Sequence, residues 1–374
     1  MFVIRGYVQN YAWGVPGGLN PWLAEPVGVE PQAELWFGAH PNGPSPLSGR
    51  PGTLVDVVDP NQIPLLVKLL AAAKPLSIQI HPQAELARAL FAEQDADDPL
   101  LPDDRAKIEM LVAIEDFEVF AGTRHPELAA RILAAADPRL VPIAQELLGA
   151  GFAAAVTSVM AIPRAEIAEL SDAVLRVAAS EGLGSDAIVG LQVAAESFPG
   201  DPGVLVAVML DHDVLTAGEA VYLPAGSAHA YIRGFGLEVM TASDNVLRLG
   251  MTPKRIALAE ALAAVDPDAR PQRLGDSSDA AGTIDYRPTA APFEVVALRA
   301  SAASAAAGAY RLVLAVAGEV SVSAGGEDVV LAPGEAAVVL ATEPEIQVAA
   351  SGLGFVIVEV VGSRSAAAAV DSPR

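Results

Sequence analysis

The chain has 374 residues, is 52% hydrophobic, carries a formal net charge of −23 and contains no cysteine. This length allows two or three domains with a substantial core, and the hydrophobic content argues against wholesale disorder. The acidic charge disfavours nucleic acid and anionic membranes as partners. The missing cysteines exclude disulfides, thiolate metal sites and cysteine nucleophiles.

The N-terminal residues lack the basic and apolar regions of a signal peptide. No apolar run reaches the roughly 20 residues that a membrane-spanning helix requires. We therefore expect a soluble cytoplasmic protein that binds neither nucleic acid nor membranes. The oligomeric state stays open, and a monomer is compatible with the sequence.

The first third of the chain predicts short strands, a helix and then further strands. Residues 1–82 are divided by glycine and proline turns, a pattern typical of short strands. Residues 65–70 form an apolar run that suits a buried strand, and its single charge, Lys68, requires a partner. Helical spacing over 83–94 predicts a helix, and strand-like sequence returns over 107–121.

The rest of the chain predicts a helical block, more strands and a second β-domain. Residues 126–197 have helical periodicity, strands are expected from 203 to 241, and Thr252 is expected to cap a helix that reaches residue 265. The predicted fold class is therefore mainly β with a helical insertion. The predicted units are a β-domain built from 1–122 and 203–265, a helical insertion at 123–202, a linker at 266–283, a C-terminal β-domain at 284–362 and a disordered tail at 363–374.

Three distant segments offer ligands for one metal site. Alternate side chains of a strand share a face, so Ser77, Gln79 and His81 are expected to project together. Glu109 lies in a second strand-like segment and His229 in a third. Two imidazoles, a carboxylate and an amide oxygen form a suitable ligand set for Zn²⁺ or a similar divalent ion.

The same segments resemble the type I mannose-6-phosphate isomerases. The matching stretches are 11–14, 33–41, 74–82 and 223–254, and they cover most of 1–122 and 204–256. The resemblance implies a bicupin, with two cupin or jelly-roll-like β-domains and an α-helical insertion. It also implies one zinc ion per chain, held by Gln79, His81, Glu109 and His229.

One departure from the family concerns the carboxylate ligand. The family usually has proline between the lysine and the glutamate, where this chain has Ile108. Isoleucine suits a strand, so Lys107 and Glu109 still share a face, and only the local rigidity differs. A neutral glutamine ligand beside one carboxylate leaves the centre with a residual positive charge, which can stabilise an anionic sugar intermediate.

Several polar residues in the matching stretches are candidates for binding the substrate. Arg248 and Lys254 form the candidate anion grip, because Lys254 falls in the first turn of the expected helix, whose free N–H groups favour phosphate. The resemblance places both in the active site and gives the arginine a catalytic role. Ser77 is a candidate for bonding a substrate oxygen. Asp244 is a candidate for orienting a metal ligand or Arg248.

Several charged residues within apolar segments are candidates for the cavity, and some of them for proton transfer. Glu238 is a charged residue within an apolar strand, and a buried carboxylate in a substrate cavity can move protons. Lys68 and Lys107 are candidate cavity lysines for the same reason, and Lys68 is a candidate for binding the substrate. The base stays open among Glu238, Lys107 and a metal-bound water. The remaining histidines are expected to be structural or to lie in loops: His40, His125 and His212.

The resemblance implies an aldose-ketose isomerase that interconverts mannose 6-phosphate and fructose 6-phosphate through a cis-enediol(ate), with a small-molecule sugar phosphate as its partner. One alternative is a non-catalytic sugar-phosphate-binding cupin. Another is a different cupin enzyme, such as an iron oxygenase. Such iron sites commonly use more histidines, often as H-x-H, whereas this chain has Gln79 at the corresponding first position.

Overall fold

The structure is a computed structural model that describes residues 1–23, 28–275 and 282–361. The predicted disordered tail at 363–374 and part of the predicted linker therefore lie outside the described residues. None of the helices in the described ranges combines the length and the apolar character needed to span a bilayer.

Most of the regular structure is β-strand, and the long helices cluster in the middle of the chain. The strands are β1 (Phe2–Arg5), β2 (Tyr7–Gln9), β3 (Val15–Pro16), β4 (Pro31–Gln32), β5 (Glu34–Phe37), β6 (Leu65–Ala72), β7 (Ile78–Ile80), β8 (Glu109–Ala113), β9 (Phe117–Thr123), β10 (Leu210–Leu215), β11 (Ala220–Leu223), β12 (His229–Thr241), β13 (Leu247–Gly250), β14 (Gln272–Leu274), β15 (Gly282–Tyr286), β16 (Phe293–Arg299), β17 (Ala302–Ala305), β18 (Arg311–Ala317), β19 (Val320–Ala324), β20 (Glu327–Leu331), β21 (Glu335–Val339), β22 (Ile346–Ala350) and β23 (Leu353–Glu359). The α-helices are α1 (Ala84–Glu93), α2 (Pro126–Ala136), α3 (Val141–Gly149), α4 (Phe152–Met160), α5 (Arg164–Ala178), α6 (Ser185–Ser197), α7 (Gly203–Ala207) and α8 (Leu258–Ala263), and short 3₁₀ helices lie at Asn20–Trp22, Leu54–Asp56, Pro60–Gln62 and Pro138–Leu140.

The long strand β12 joins two sheets that face each other. Its second half pairs with β6 and β8 in the main sheet, whose order is β14-β11-β8-β12-β6-β5-β2. Its first half pairs with β7 and β9, which extend through β13 and β10 to form the branch sheet. The change of sheet falls at Gly234, which has φ +140 and where a Cβ would lie 2.6 Å from the carbonyl oxygen of Asp116. A glycine is required there because β9 approaches the backbone so closely.

The C-terminal part forms a second β-unit of two sheets. Its larger sheet has the order β1-β21-β18-β23-β16-β15, so the N-terminal strand β1 belongs to it. Its smaller sheet has the order β17-β22-β19-β20. Strands such as Val320–Ala324 alternate buried and exposed side chains, as expected of a sheet with one face on a core and one face in solvent.

Hydrophobic packing stacks these parts into layers. The insertion helices pack on the outer face of the branch sheet, where Ile132 and Leu170 share a core with Phe120 and Leu247. On the opposite side, Leu69 and Leu237 of the main sheet share a core with residues of the six-stranded sheet, including Leu312, Val338 and Phe355. Both outer faces of the two-sheet unit are therefore covered.

The structure confirms the mainly β class, the helix after residue 83 and the helical block over 126–197. Three local predictions are wrong. Residues 203–207 form the buried helix α7 instead of a strand, and no helix begins at Thr252, since α8 starts only at Leu258. The predicted linker contains strand β14, which pairs with β11.

Candidate metal centre

Three of the four predicted metal ligands meet inside the two-sheet unit. His81, Glu109 and His229 are buried, and each offers a ligand atom within 4.8 Å of the others. The Nε2 atom of His229 lies 2.9 Å from Oε1 of Glu109, and Nε2 of His81 lies 3.3 Å from Oε2. These residues come from β12, from the end of β7 and from β8, so only the closure of the two sheets brings them together.

The protonation of the two imidazoles favours a cation between them. Nδ1 of His81 lies 2.7 Å from the carbonyl oxygen of Asn245, and Nδ1 of His229 lies 3.0 Å from that of Ser227. A carbonyl only accepts, so each Nδ1 donates, and the neutral ring then presents a lone pair on Nε2. These lone pairs face the carboxylate of Glu109, and acceptors converging in this way suit a bound divalent ion.

The surrounding charges keep the ligands in their metal-binding forms. Burial, together with the nearby Lys107 ammonium, lowers the pKa of His81 to about 4, so this imidazole is neutral near pH 7. Burial alone would raise the pKa of Glu109, but Lys107 and the two histidines hold it well below its ordinary value. The Nζ atom of Lys107 lies 2.8 Å from Oε2 of Glu109, which confirms that these two side chains share a face.

Gln79, the fourth predicted ligand, stands in the same row of side chains. In the branch sheet it lies directly opposite His229 on one side and opposite Arg248 on the other. Directly paired residues of antiparallel strands project from the same face, so all three side chains point the same way. Gln79, Glu109 and His229 line one cavity of about 890 Å³ between the two sheets.

A buried network of charges occupies the cavity wall formed by the main sheet. The Nζ atom of Lys68 lies 2.8 Å from Glu238 and 3.6 Å from Glu34, and the indole of Trp36 donates to Glu34 at 2.5 Å. Lys68 therefore has the partner that its burial requires. Burial alone would lower the pKa of Lys68, but Glu238 and Glu34 raise it, so this lysine is charged. Burial raises the pKa of Glu34.

The cavity also contains two cations that have no ion pair among the described residues. Arg248 and Lys254 both line the cavity, and neither side chain has a hydrogen bond or ion pair with the described part of the chain. Burial lowers the pKa of Arg248. Burial together with the charge of Arg248 lowers the pKa of Lys254, against a smaller opposing effect of Glu34. Ser77 also lines the cavity. In a chain of charge −23, such a pair is a strong candidate anion site.

The run from 243 to 245 carries two supporting contacts. Asp244 accepts a 2.6 Å hydrogen bond from His40, which packs edge-on against Trp36. Burial alone would raise the pKa of Asp244, but the contact with His40 lowers it. The side-chain amide of Asn245 donates to the Asp103 carboxylate at 3.1 Å, and the backbone carbonyl of Asn245 accepts from the His81 ring. Asp244 thus contacts His40, and no described contact joins it to Arg248.

The other histidines lie outside the cavity. His125 is an exposed loop residue that precedes α2 and pairs with Glu127, as the sequence predicts. The prediction that His212 lies in a loop is wrong. It belongs to β10, and its ring is buried against Glu118 at 2.8 Å. The polar-looking segment around it is a strand because it pairs with β9 beneath the insertion helices.

Sequence reasoning missed two cavity residues that had a local signal. Glu34 alternates with Leu35 in a buried strand, and this is the pattern that identified Glu238. Tyr231 lies two residues after His229, and its hydroxyl donates to Glu109 at 3.3 Å. Burial and the charges of Glu109 and Glu238 raise the pKa of Tyr231 well above its ordinary value, so its hydroxyl is a donor.

Comparison with known proteins gives one consistent answer. A family model described as "Phosphomannose isomerase type I, catalytic domain" matches residues 1–126. The mannose-6-phosphate isomerase of Escherichia coli (strain K12) is 29% identical over 92% of this chain and 96% of its own length. That of Ogataea parapolymorpha is 34% identical over 68% of this chain and 70% of its own. A solved mannose 6-phosphate isomerase bound with zinc and yttrium has a TM-score of 0.82 and 28% identity, covering 96% of this chain and 100% of that chain.

Proposed function

This chain belongs to the type I mannose-6-phosphate isomerases, and we propose from its residues how it interconverts mannose 6-phosphate and fructose 6-phosphate. The observation that carries the proposal is the content of one cavity. A set of metal ligands lies in it together with two cations that have no counterion among the described residues. A phosphorylated sugar offers groups to both: its oxygens at C1 and C2 would lie near the metal ligands and Arg248, and its phosphate would lie near Lys254.

The metal is Zn²⁺, one ion per chain, held by Gln79, His81, Glu109 and His229. The two Nε2 lone pairs and the Glu109 carboxylate fit this ion, and the amide of Gln79 completes four ligands. When bound, zinc supplies a Lewis acid that stabilises negative charge on the sugar oxygens. Lys107 holds Glu109 in place and adds a positive charge beside these oxygens.

The cations bind and orient the substrate. We assign Lys254, with Ser77, to the phosphate, because a compact ammonium at the cavity wall forms strong hydrogen bonds to phosphate oxygens. Arg248 is paired in register with Gln79, so it lies next to a proposed metal ligand. We assign its guanidinium to the oxygens near C1 and C2, where it stabilises the charge that develops in the reaction.

Isomerisation moves one proton from C2 to C1 and one from the C2 hydroxyl to the oxygen at C1, through a cis-enediol(ate). We assign the carbon-bound proton to the Glu238 carboxylate, which lines the cavity and accepts a proton in its ionised form. The Nζ atom of Lys68 lies 2.8 Å from this carboxylate and holds it in place. Lys107 and the Tyr231 hydroxyl are donors that line the same cavity. Asp244 supports this end of the cavity through His40.

For the architecture, we propose that each β-unit is a cupin-like β-sandwich and that the chain is a bicupin. The catalytic unit would comprise 1–122 and 203–265, with the insertion at 123–202 and the second unit at 284–362. Two facing sheets around a polar interior support the first assignment, and the six- and four-stranded sheets support the second. Strand β1 pairs with β21 in the six-stranded sheet, so the start of the chain links the first unit to the second.

A coupled assay that follows fructose 6-phosphate tests the function. We expect turnover of mannose 6-phosphate, loss of turnover after EDTA treatment and recovery with Zn²⁺, because the metal centre is part of the site. We expect no comparable turnover of unphosphorylated mannose, followed through the fructose that it would form, since Lys254 then has no anion to bind. Tight binding of mannose 6-phosphate without turnover by the zinc-loaded protein would instead support a non-catalytic sugar-phosphate-binding cupin.

A further inference from the structure

The carboxylate of Asp201 joins the helical insertion to the turn that follows β13. Asp201 is 6% exposed and lies between α6 and α7. Its Oδ1 atom accepts backbone N–H groups from Gly203 at 2.8 Å and from Met251 at 2.9 Å. Its Oδ2 atom accepts the N–H of Thr252 at 3.2 Å. Two of these three donors belong to the turn, so the carboxylate clamps the turn to the insertion.

The backbone of this turn is close-packed and strained. A Cβ on Gly250 would lie 2.4 Å from the Cα of Gly203, so these two segments of the backbone are in direct contact. Met251 has φ +55, a left-handed conformation that non-glycine residues rarely adopt. Such a conformation persists only where its surroundings hold it. The hydrogen bond from the Met251 N–H to Asp201 supplies that constraint.

The turn carries one of the two cavity cations. It connects Arg248, in β13, to Lys254, whose N–H donates to the Thr252 hydroxyl at 3.1 Å. Two like charges that lie close together repel each other, so a free turn would move Lys254 away from Arg248. No helix begins at Thr252, whose N–H instead donates to Asp201.

We propose that Asp201 is a positioning residue for phosphate binding: through the backbone of Met251 and Thr252 it holds Lys254 beside Arg248. Asp201 does not touch the substrate in this proposal. The proposal rests on the assignment of Lys254 to the sugar phosphate. It gives the helical insertion a direct part in substrate recognition, which agrees with Phe198, at the end of α6, lining the same cavity.

The experiment measures steady-state kinetics and phosphate inhibition for Asp201→Asn. The variant has the same shape, but its amide NH₂ group faces at least one backbone donor in either orientation, so one clamp contact is lost. We expect the KM for mannose 6-phosphate and the inhibition constant of inorganic phosphate to rise about tenfold, equivalent to about 1.4 kcal/mol. We expect kcat to fall by less than about threefold, because the metal ligands stay in place.

The matched control is Asp137→Asn. Asp137 also belongs to the insertion and accepts a backbone N–H, from Arg139 at 2.9 Å, but it does not line the cavity. It is expected to lose stability without a change in KM. An Asp201→Asn enzyme with unchanged KM and unchanged phosphate inhibition, or one that loses only kcat, contradicts the proposal.

If Asp201→Asn does not fold, the comparison is made between the single variant Met251→Gly and the double variant that carries both Met251→Gly and Asp201→Asn. Glycine adopts positive φ without strain, so it offsets part of the lost stability, and the same tenfold rise in KM is expected between these two proteins. The wild-type enzyme is measured first. Absence of turnover there contradicts the proposed function, whereas turnover with equal KM values contradicts only the role of Asp201.

Discussion

Replacement of the carboxylate ligand by its amide tests the metal centre most directly. Glu109→Gln keeps the shape of the side chain but removes the only negative charge among the four proposed ligands. Its amide also places an NH₂ group where the two Nε2 lone pairs and the carboxylate now converge. We expect zinc affinity to fall by at least a thousandfold, because loss of a supporting contact alone typically costs 10–100-fold.

The magnitude follows from linkage between binding and folding. Zinc at about 1,000 times its dissociation constant stabilises the wild-type protein by about 4.1 kcal/mol. An unfolding entropy of about 2.1 cal/mol/K per residue gives about 0.8 kcal/mol/K for a chain of this length, so the melting temperature is expected to rise by about 5 °C. In Glu109→Gln the same zinc concentration equals the dissociation constant or less, and the shift becomes less than about 1 °C.

The assay is thermal unfolding with and without Zn²⁺, together with metal analysis of the purified proteins. Glu118→Gln is the matched control, because Glu118 is also a buried carboxylate in contact with a histidine, His212, at 2.8 Å. It lies outside the cavity, so its zinc shift should equal that of the wild type. An equal zinc shift in Glu109→Gln and in the wild type would refute the assignment of this ligand set.

Three further variants test the cavity. Lys254→Ala should raise the KM for mannose 6-phosphate about 10–100-fold, measured by the coupled assay, because one charge-assisted bond to phosphate is lost; an unchanged KM would contradict its role. Lys68→Met should lower the free energy of unfolding by about 3–5 kcal/mol at pH 8 in urea denaturation of the zinc-free protein, since two buried carboxylates lose their counterion. The loss should be smaller at pH 5.5. Burial raises the pKa of Glu34, so in the folded variant this carboxyl binds a proton that the unfolded chain has already released. The stability of the variant therefore falls as pH rises from about 4.3, the ordinary glutamate value, through the raised folded-state pKa. Equal losses at both pH values would contradict this linkage. Asp103→Ala should weaken zinc binding about 10–100-fold in a competition titration, with little change in phosphate inhibition, because the run 243–245, whose Asn245 carbonyl accepts from the His81 ring, loses its contacts with the Asp103 carboxylate; equal zinc affinity would contradict it.

Strand periodicity predicted the cavity face well. Alternation is a property of an extended backbone, so the polar residues at Gln79 and Glu238 face the interior whatever the rest of the fold does. Resemblance to a family supplied the distant partners, which periodicity cannot pair. The same alternation places Glu34 on the cavity wall, so that residue was within reach of sequence reasoning.

Local signals failed where a distant group competed for the backbone. The sequence Thr252-Pro253-Lys254 has the form of a helix start, but the buried carboxylate of Asp201 binds the N–H of Thr252 and holds an irregular turn instead. Residues 203–207 look like a strand because all of them are apolar. They form a helix that is buried on every side, and complete burial removes the periodicity that would distinguish the two.

The sequence by itself therefore determined which residue types are available, which of them share a face, and to which family the chain is similar. Only the tertiary structure decided that two imidazole lone pairs meet one carboxylate, that Lys68 lies between Glu34 and Glu238, and that Asp201 holds the turn carrying Lys254. The reason is physical. Periodicity acts over a few residues, whereas these contacts join positions far apart in the chain and form only when the sheets close and exclude water.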